Sequence, residues 1–207
     1  MKIVISESQY NRLIETEEEQ KVLQIPSLQI FGLDRLEAWN NLQEFLEKKG
    51  NPPYSIGGNL YLAELPIESL GNLISVDGNL ELYNTKIKSL GKLKSVGGDL
   101  ILRNTFIDSV GELTSVGGDL NLGGLPITSL GNLKTVGQSL VLANSLIKSL
   151  GNLESVGTDL FLSRTPIQSL GNLKSVGGDL YLRGTPLSKM YSKEEIGQMV
   201  NVGGGIM

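Results

Sequence analysis

The sequence contains neither cysteine nor histidine among its 207 residues, and these two absences exclude several kinds of chemistry. Without cysteine, the chain has no disulfide framework, no thiolate nucleophile and no thiolate metal site. Without histidine, it lacks a Ser-His-Asp triad, an imidazole acid or base, and the commonest zinc ligand. No P-loop, Rossmann fingerprint or EF-hand loop occurs either. We therefore expect a protein that is not an enzyme and that holds no metal and no cofactor.

An excess of basic residues and long apolar runs are also missing. The 18 basic residues are outnumbered by 22 acidic ones, and the net charge of −4 argues against nucleic acid as a partner. No run of 18 apolar residues is present to span a bilayer. The opening residues turn polar at Ser6, too early for a secretory signal. We expect no nucleic-acid or membrane partner and a cytoplasmic location.

Glycine is the most biased residue type, since 24 of the 26 glycines follow residue 54. This shift in composition, with the turn-forming string at 50–53, predicts a boundary near that point. We divide the chain into an N-terminal helical cap at 1–54, seven repeats at 55–187, and a C-terminal cap at 188–207.

From residue 55 onward the chain repeats every 20 residues in six successive steps without an insertion. Each unit reads approximately S-V-G-G-D-L-x-L-x-x-T-P-I-x-S-L-G-N-L-x. The segment 60–62 and its equivalents alternate apolar and variable residues, as a short strand with one buried face does. The other apolar positions all point inward only if the chain coils once per repeat; in the first unit these are Ile67, Leu70, Leu73 and Val76. The pattern predicts a mainly β, right-handed solenoid of parallel strands, with one short strand per 20-residue coil.

The repeat unit resembles a known family. Leu80-Glu81-Leu82-Tyr83-Asn84-Thr85-Lys86-Ile87 is similar to the leucine-rich repeat segment L-x-L-x-x-N-x-L, with Thr85 in the place of the Asn. The string Gly-Gly-Asp/Asn-Leu-x-Leu-x-x-Thr-x-Ile looks more like the related repeats of receptor L domains. The resemblance covers 55–187, and it implies a leucine-rich-like fold that binds partners rather than performing one chemistry.

The flanking segments are expected to cover the open ends of the core. At the amino end the patterns predict helices over 6–19 and 34–49, the second with Trp39 as a packing residue of the cap. At the carboxyl end they predict a short helix from Ser192 and a final strand near 202–206. Residues 1–14 also resemble the start of many uncharacterised proteins of large tailed bacteriophages, which implies a phage or bacterial origin and a place in the host cytoplasm or the virion.

One outward column of the coils is acidic or amidic in most units: Asn59, Asn79, Asp99, Asp119, Ser139, Asp159 and Asp179. Two carboxylates one coil apart offer the acid/base pair of a glycan-cleaving solenoid. The alternative is structural, because short polar side chains after Gly-Gly cap the backbone donors of a turn. Recurrence in most coils favours the structural role, since catalysis needs one special place.

The remaining outward strand positions vary while the framework around them is constant. Such variation is typical of a binding face, and Tyr and Arg are enriched in interface hot spots. Neutral variation at exposed positions is the competing interpretation. The residues predicted to bind a partner are Tyr61, Tyr83, Arg103, Phe161, Arg164, Tyr181 and Arg183.

The sequence thus predicts a non-enzymatic recognition module that binds a protein partner through the strand face, with self-association left open. Two alternatives of different class remain. One is a structural or decorating protein of a virion, and the other is a glycan-active enzyme that uses the Asp column.

Overall fold

The coils stack into a parallel β-solenoid in the computed structural model, which describes residues 22–207. The predicted fold class is confirmed, including the helices near both ends. The helix predicted over 6–19 lies outside the described residues.

Each repeat supplies the predicted leucine strand and also a second short strand, formed by its Ser-Val pair. These strands persist although most have only two residues, because equivalents in successive coils pair in register, as Ser155 does with Ser175 and Leu160 with Leu180. The Ser-Val strands belong to a sheet of nine strands, which we call the serine-valine sheet, and the leucine strands form a sheet of seven, which we call the leucine sheet.

In chain order the strands are β1 (Leu23–Ile25), β2 (Tyr54–Ile56), β3 (Leu60–Tyr61), β4 (Leu73–Val76), β5 (Leu80–Glu81), β6 (Ser95–Val96), β7 (Leu100–Ile101), β8 (Ser115–Val116), β9 (Leu120–Asn121), β10 (Thr135–Val136), β11 (Leu140–Val141), β12 (Ser155–Val156), β13 (Leu160–Phe161), β14 (Ser175–Val176), β15 (Leu180–Tyr181) and β16 (Asn201–Val202). The leucine sheet contains the odd-numbered strands from β3 to β15, and the serine-valine sheet contains β1 and the even-numbered strands.

Apolar columns line the inside of the solenoid and form one continuous core. Within a single coil, five side chains are fully buried: Leu140, Leu142, Ile147, Leu150 and Leu153. A polar column joins this core, because the Thr165 hydroxyl donates to the Leu162 carbonyl at 2.7 Å and thereby becomes compatible with burial. Each coil therefore covers only its two neighbours, and the ends of the array need covers of their own.

The amino end is covered by β1 and by helix α1 (Arg35–Lys48). β1 pairs with β2 and extends the serine-valine sheet by one strand. α1 begins at Asp34, whose carboxylate accepts two backbone N–H groups of the first turn. The helix places Trp39, Leu42 and Leu46 in the core, with exposed fractions of 4%, 0% and 2%.

The carboxyl end carries two short helices, α2 (Leu187–Met190) and α3 (Lys193–Met199). A capping box between Ser192 and Glu195 starts α3. After α3 the chain returns to both sheets, since β16 pairs with β14 and Ile206 bridges to Leu180. Within residues 22–207, no helix has the length and apolar character needed to cross a membrane.

Candidate functional site

The outward face of the leucine sheet, which we call the strand face, consists of the residues that alternate with the buried leucines. Because the leucine strands pair in register, equivalent side chains form straight columns about 4.8 Å apart per coil. In the column that begins with Tyr61 and continues every 20 residues to Tyr181, Tyr61 is 40% exposed and the later side chains are half-buried against their neighbours. The face is thus a regular surface whose chemistry is set by seven coils in turn.

Two aromatic rings stack at the carboxyl half of the strand face. Phe161 and Tyr181 lie one coil apart, with ring centroids separated by 4.5 Å and ring planes inclined by 11°. The Tyr181 hydroxyl donates to Asp179 Oδ2 at 3.2 Å. The pKa of Tyr181 lies above its ordinary value, because partial desolvation disfavours the phenolate and the Asp179 carboxylate accepts its proton in a hydrogen bond. These contacts hold the pair in one orientation.

Two arginines accompany this stack, and both are exposed. The backbone N–H of Arg164 donates to the carbonyl of Arg183 at 2.9 Å, so the two residues sit on adjacent coils. Arg164 has a φ of 60°, whereas Asn or Gly occupies the equivalent position in most other coils. A left-handed backbone at a residue other than Gly or Asn is strained, so the coil geometry imposes this conformation on Arg164.

A second group lies at the amino half of the strand face. The Arg103 guanidinium stands 5.8 Å from the centre of the Tyr83 ring, within the range of a cation–π contact. Tyr61 belongs to the coil before Tyr83, and its hydroxyl accepts a hydrogen bond from the Asn59 side chain at 2.6 Å. This second group is therefore also ordered by contacts within the protein.

The structure brings the predicted binding residues together as two groups rather than as one cluster. Three coil steps, or about 14 Å, separate Arg103 from Phe161. The residues between them on these two outward columns are smaller than the aromatic and arginine side chains at either end: Asn121, Gly123, Val141 and Ala143. The strand face therefore carries large aromatic and basic side chains at its two ends and smaller side chains in its middle.

The column of Asp and Asn residues forms a hydrogen-bond ladder between coils. Asp99 Oδ1 accepts the backbone N–H of Asp119 at 2.8 Å, and Asp159 Oδ1 accepts that of Asp179 at 2.7 Å. The same contact occurs with amide oxygens, since Asn59 Oδ1 accepts the N–H of the residue one coil later. Carboxylate and amide oxygens make the same contact, so the column has a structural role, but the N–H groups that it binds belong to the next coil and not, as expected from the sequence, to the local turn.

One exposed apolar feature was not found from the sequence. Phe106 and Leu146 are 64% and 54% exposed at the bend that follows the leucine strand. They occupy equivalent positions two coils apart, with Pro126 between them, so they form an apolar stripe. Reading this column of the repeat would have revealed it, because its members after Lys86 are all apolar or proline.

Among residues 22–207 there is no group of three or more acidic side chains placed to hold a metal ion. Comparison of the chain with protein-family models, with curated proteins and with solved structures finds no match.

Proposed function

We propose that the protein is a non-enzymatic recognition module that binds another protein through the strand face. The observation that supports this most is the ordered pair of Phe161 and Tyr181 beside exposed arginines. Aromatic and arginine side chains dominate binding hot spots, and side chains already held on a rigid sheet lose little freedom on binding. A partner that contacts both aromatic-basic groups at once would also lie over the smaller side chains between them.

The proposal assigns no catalysis to the Asp column. In the pairs Asp99/Asp119 and Asp159/Asp179, each carboxylate accepts a hydrogen bond from a backbone N–H of the neighbouring coil. It likewise assigns no nucleic-acid partner, because the repeats carry about as many acidic as basic residues.

The proposal extends to the kind of repeat that forms the coils and to the origin of the protein. The likeness of the segment 80–87 to leucine-rich repeats supports a relationship of the coils to repeats of the receptor L-domain type. The opening residues support a phage or bacterial origin, with the protein acting in the cytoplasm of the host or in the virion.

The test is a parallel capture of proteins from the source organism on three immobilised forms of the full chain. These are the unmodified protein, a strand-face variant (Phe161→Ala, Tyr181→Ala, Arg183→Ala), and a control variant on the far side (Lys88→Ala, Lys94→Ala, Lys134→Ala). We expect a partner that binds the first and third forms and whose affinity for the strand-face variant falls by about 2 kcal/mol or more, roughly thirtyfold.

Folding of the strand-face variant is checked by thermal melting, because loss of the aromatic stack alone costs about 1 kcal/mol. Binding that is lost in the lysine variant and kept in the strand-face variant would contradict the proposal and place the interface on the far side.

A further inference from the structure

The leucine sheet ends one coil earlier than the serine-valine sheet at the amino end of the solenoid. In the coils, the leucine strand begins four residues after the inward residue of the Ser-Val strand, as Leu60 follows Ile56. After β1 the chain instead passes through Pro26 and Ser27 into a 3₁₀ turn at Leu28–Phe31, which Ser27 caps. No strand within residues 22–207 pairs with the outer edge of β3.

The hydrogen-bond register shows which backbone groups this leaves at the edge. The N–H groups of Leu60 and Leu62 donate to β5, at Asn79 and Glu81. In a parallel ladder the intervening residue directs its N–H and C=O to the opposite side. The backbone N–H and C=O of Tyr61 therefore point outward from the open edge of β3, on the side opposite β5. Among the described residues they have no backbone partner.

A cavity of about 370 Å³ lies beside this edge. Its walls include Tyr61 and Asn59 of the sheet edge, and Leu28 and Ala38, which are buried at 7% and 2% exposure. Leu33 also lines the cavity and is 99% exposed. The space thus combines free backbone groups on one wall with apolar side chains on another, which is the arrangement that accepts an added strand and one of its side chains.

A positive charge stands at the same place. Arg35 lines the cavity, and its guanidinium donates to the Ala63 carbonyl, the next outward group of the edge, at a long 3.4 Å. The two ion pairs within residues 22–207 are Lys48–Glu44 and Lys174–Glu154, so neither involves Arg35. A guanidinium with several donors left over is suited to a carboxylate.

We propose that this edge is a second recognition site, which binds an extended peptide segment of a partner protein by strand addition to β3. The peptide backbone pairs with the N–H and C=O of Tyr61, an apolar side chain enters the cavity against Leu28 and Ala38, and an acidic side chain of the peptide meets Arg35. The site shares Tyr61 with the amino-half group of the strand face but includes none of Phe161, Tyr181 and the two arginines beside them, and its peptide ligand goes beyond the recognition proposed above.

The experiment selects from a displayed library of random octapeptides against the immobilised full chain, and then titrates the enriched peptide, made synthetically with a fluorescent label. We expect enriched sequences that share an acidic residue at a constant distance from an apolar one. Because the contact area is small, the expected dissociation constant is on the order of 10 µM.

Two variant pairs separate the contributions to peptide binding. Tyr61→Ala removes the ring and keeps the backbone N–H, whereas Tyr61→Pro removes the N–H as well, at an outward edge position where proline is tolerated. We expect the Pro variant to bind at least tenfold more weakly than the Ala variant. Arg35→Gln should weaken binding about tenfold, and Lys94→Gln, an exposed charge change on another side, should leave it unchanged.

Amide hydrogen exchange of the full chain gives an independent reading of the edge. The Tyr61 amide should exchange rapidly without peptide and at least tenfold more slowly with saturating peptide. Three results would overturn the proposal: no enriched peptide, equal binding to the Ala and Pro variants, or a Tyr61 amide already protected in the free chain. The last result would mean that the edge is occupied by a segment of the chain itself.

Discussion

At the scale of single residues, the buried threonine and serine hydroxyls at equivalent positions of the repeat are not all hydrogen-bonded. Thr165 Oγ1 donates to a backbone carbonyl, whereas Ser145 Oγ, at the equivalent position one coil earlier, is buried and has no hydrogen-bond partner in the described part of the chain. The hydroxyl at this position of the repeat therefore stabilises the fold in one coil and destabilises it in the neighbouring coil, because a buried polar atom stabilises only when it is hydrogen-bonded.

Removing each hydroxyl tests this difference. We expect Thr165→Val to lower the free energy of unfolding by about 1 kcal/mol, since it deletes a buried hydrogen bond and keeps the volume. We expect Ser145→Ala to be neutral or slightly stabilising, because it deletes an unpaired polar atom. Denaturant titration of both variants checks the prediction, and an equal loss in the two would contradict it.

Among residues 22–207, Tyr54 is the group whose pKa departs most from its ordinary value. It is fully buried, and its hydroxyl donates to the Leu70 carbonyl at 2.8 Å. Burial raises the pKa of Tyr54 well above its ordinary value, because desolvation disfavours the phenolate. The folded state thus retains this proton at a pH where the unfolded state releases it.

The consequence is a loss of stability in alkaline solution. Below about pH 10 both states hold the proton; above it, the unfolded chain ionises and the free energy of unfolding falls by up to about 1.4 kcal/mol per pH unit for this group. We expect Tyr54→Phe to be less stable than the unmodified protein at pH 7 and to show a shallower decline between pH 10 and 11. Tyr191→Phe, a change at an exposed tyrosine, is the matched control and should keep the original slope.

At the scale of the coil, the stacking distance at the Ser-x-Gly turn depends on glycine. The turn is made by Ser129 Oγ accepting the N–H of Gly131, which has a φ of 52°. A Cβ on Gly131 would lie 2.2 Å from the Gly111 carbonyl oxygen, because the N–H of Asn132 bonds to that same oxygen and draws the coils together. Gly111 has the same backbone conformation, with a φ of 60°, but open space around its Cβ position.

These two glycines make a matched pair for mutation. Gly111→Ala should cost about 1 kcal/mol, the price of a left-handed backbone at alanine. Gly131→Ala carries that same cost and also forces the coils apart, so we expect it to lose about 2 kcal/mol more. Thermal and denaturant unfolding measure the difference. Equal losses would mean that the backbone conformation alone, and not the close approach of the coils, requires glycine here.

At the scale of the whole molecule, the array depends on its covers, because each coil is stabilised by burial against its neighbours. Residues 23–48 supply both the edge strand β1 and the apolar face of α1. Without them, the fully buried side chains of Tyr54 and Ile56 and the edge of β2 would face water.

Deletion of residues 1–50 should therefore give an aggregating or oligomeric product, since an uncovered strand edge and apolar coil end associate with other copies. Size-exclusion chromatography with light scattering measures the outcome against the full chain. A stable monomer of residues 51–207 would show that the amino-terminal part folds as an independent domain.

The strict 20-residue spacing of apolar residues was enough to predict a solenoid of parallel strands, because only coiling once per repeat buries Leu60, Ile67, Leu70 and Val76 of every unit at the same time. Helices near the ends followed from caps and apolar stripes that are local in sequence. The grouping of Phe161 with Tyr181 followed from the period as well, since equivalents one repeat apart must be neighbours. Such features depend on spacing, which a sequence contains.

Other features depend on contacts between coils and were decided only by the tertiary structure. The Ser-Val strands are too short to show a period of two and exist because they pair with the coils on either side. The Asp and Asn oxygens accept N–H groups 20 residues away, a partner that no local pattern specifies. The open edge of β3 arises because β1 pairs with a strand about 30 residues further along the chain while the turn after it leaves the sheet. Spacing along the chain determines which residues are equivalent, but the distances and free groups between equivalents appear only when the coils are stacked.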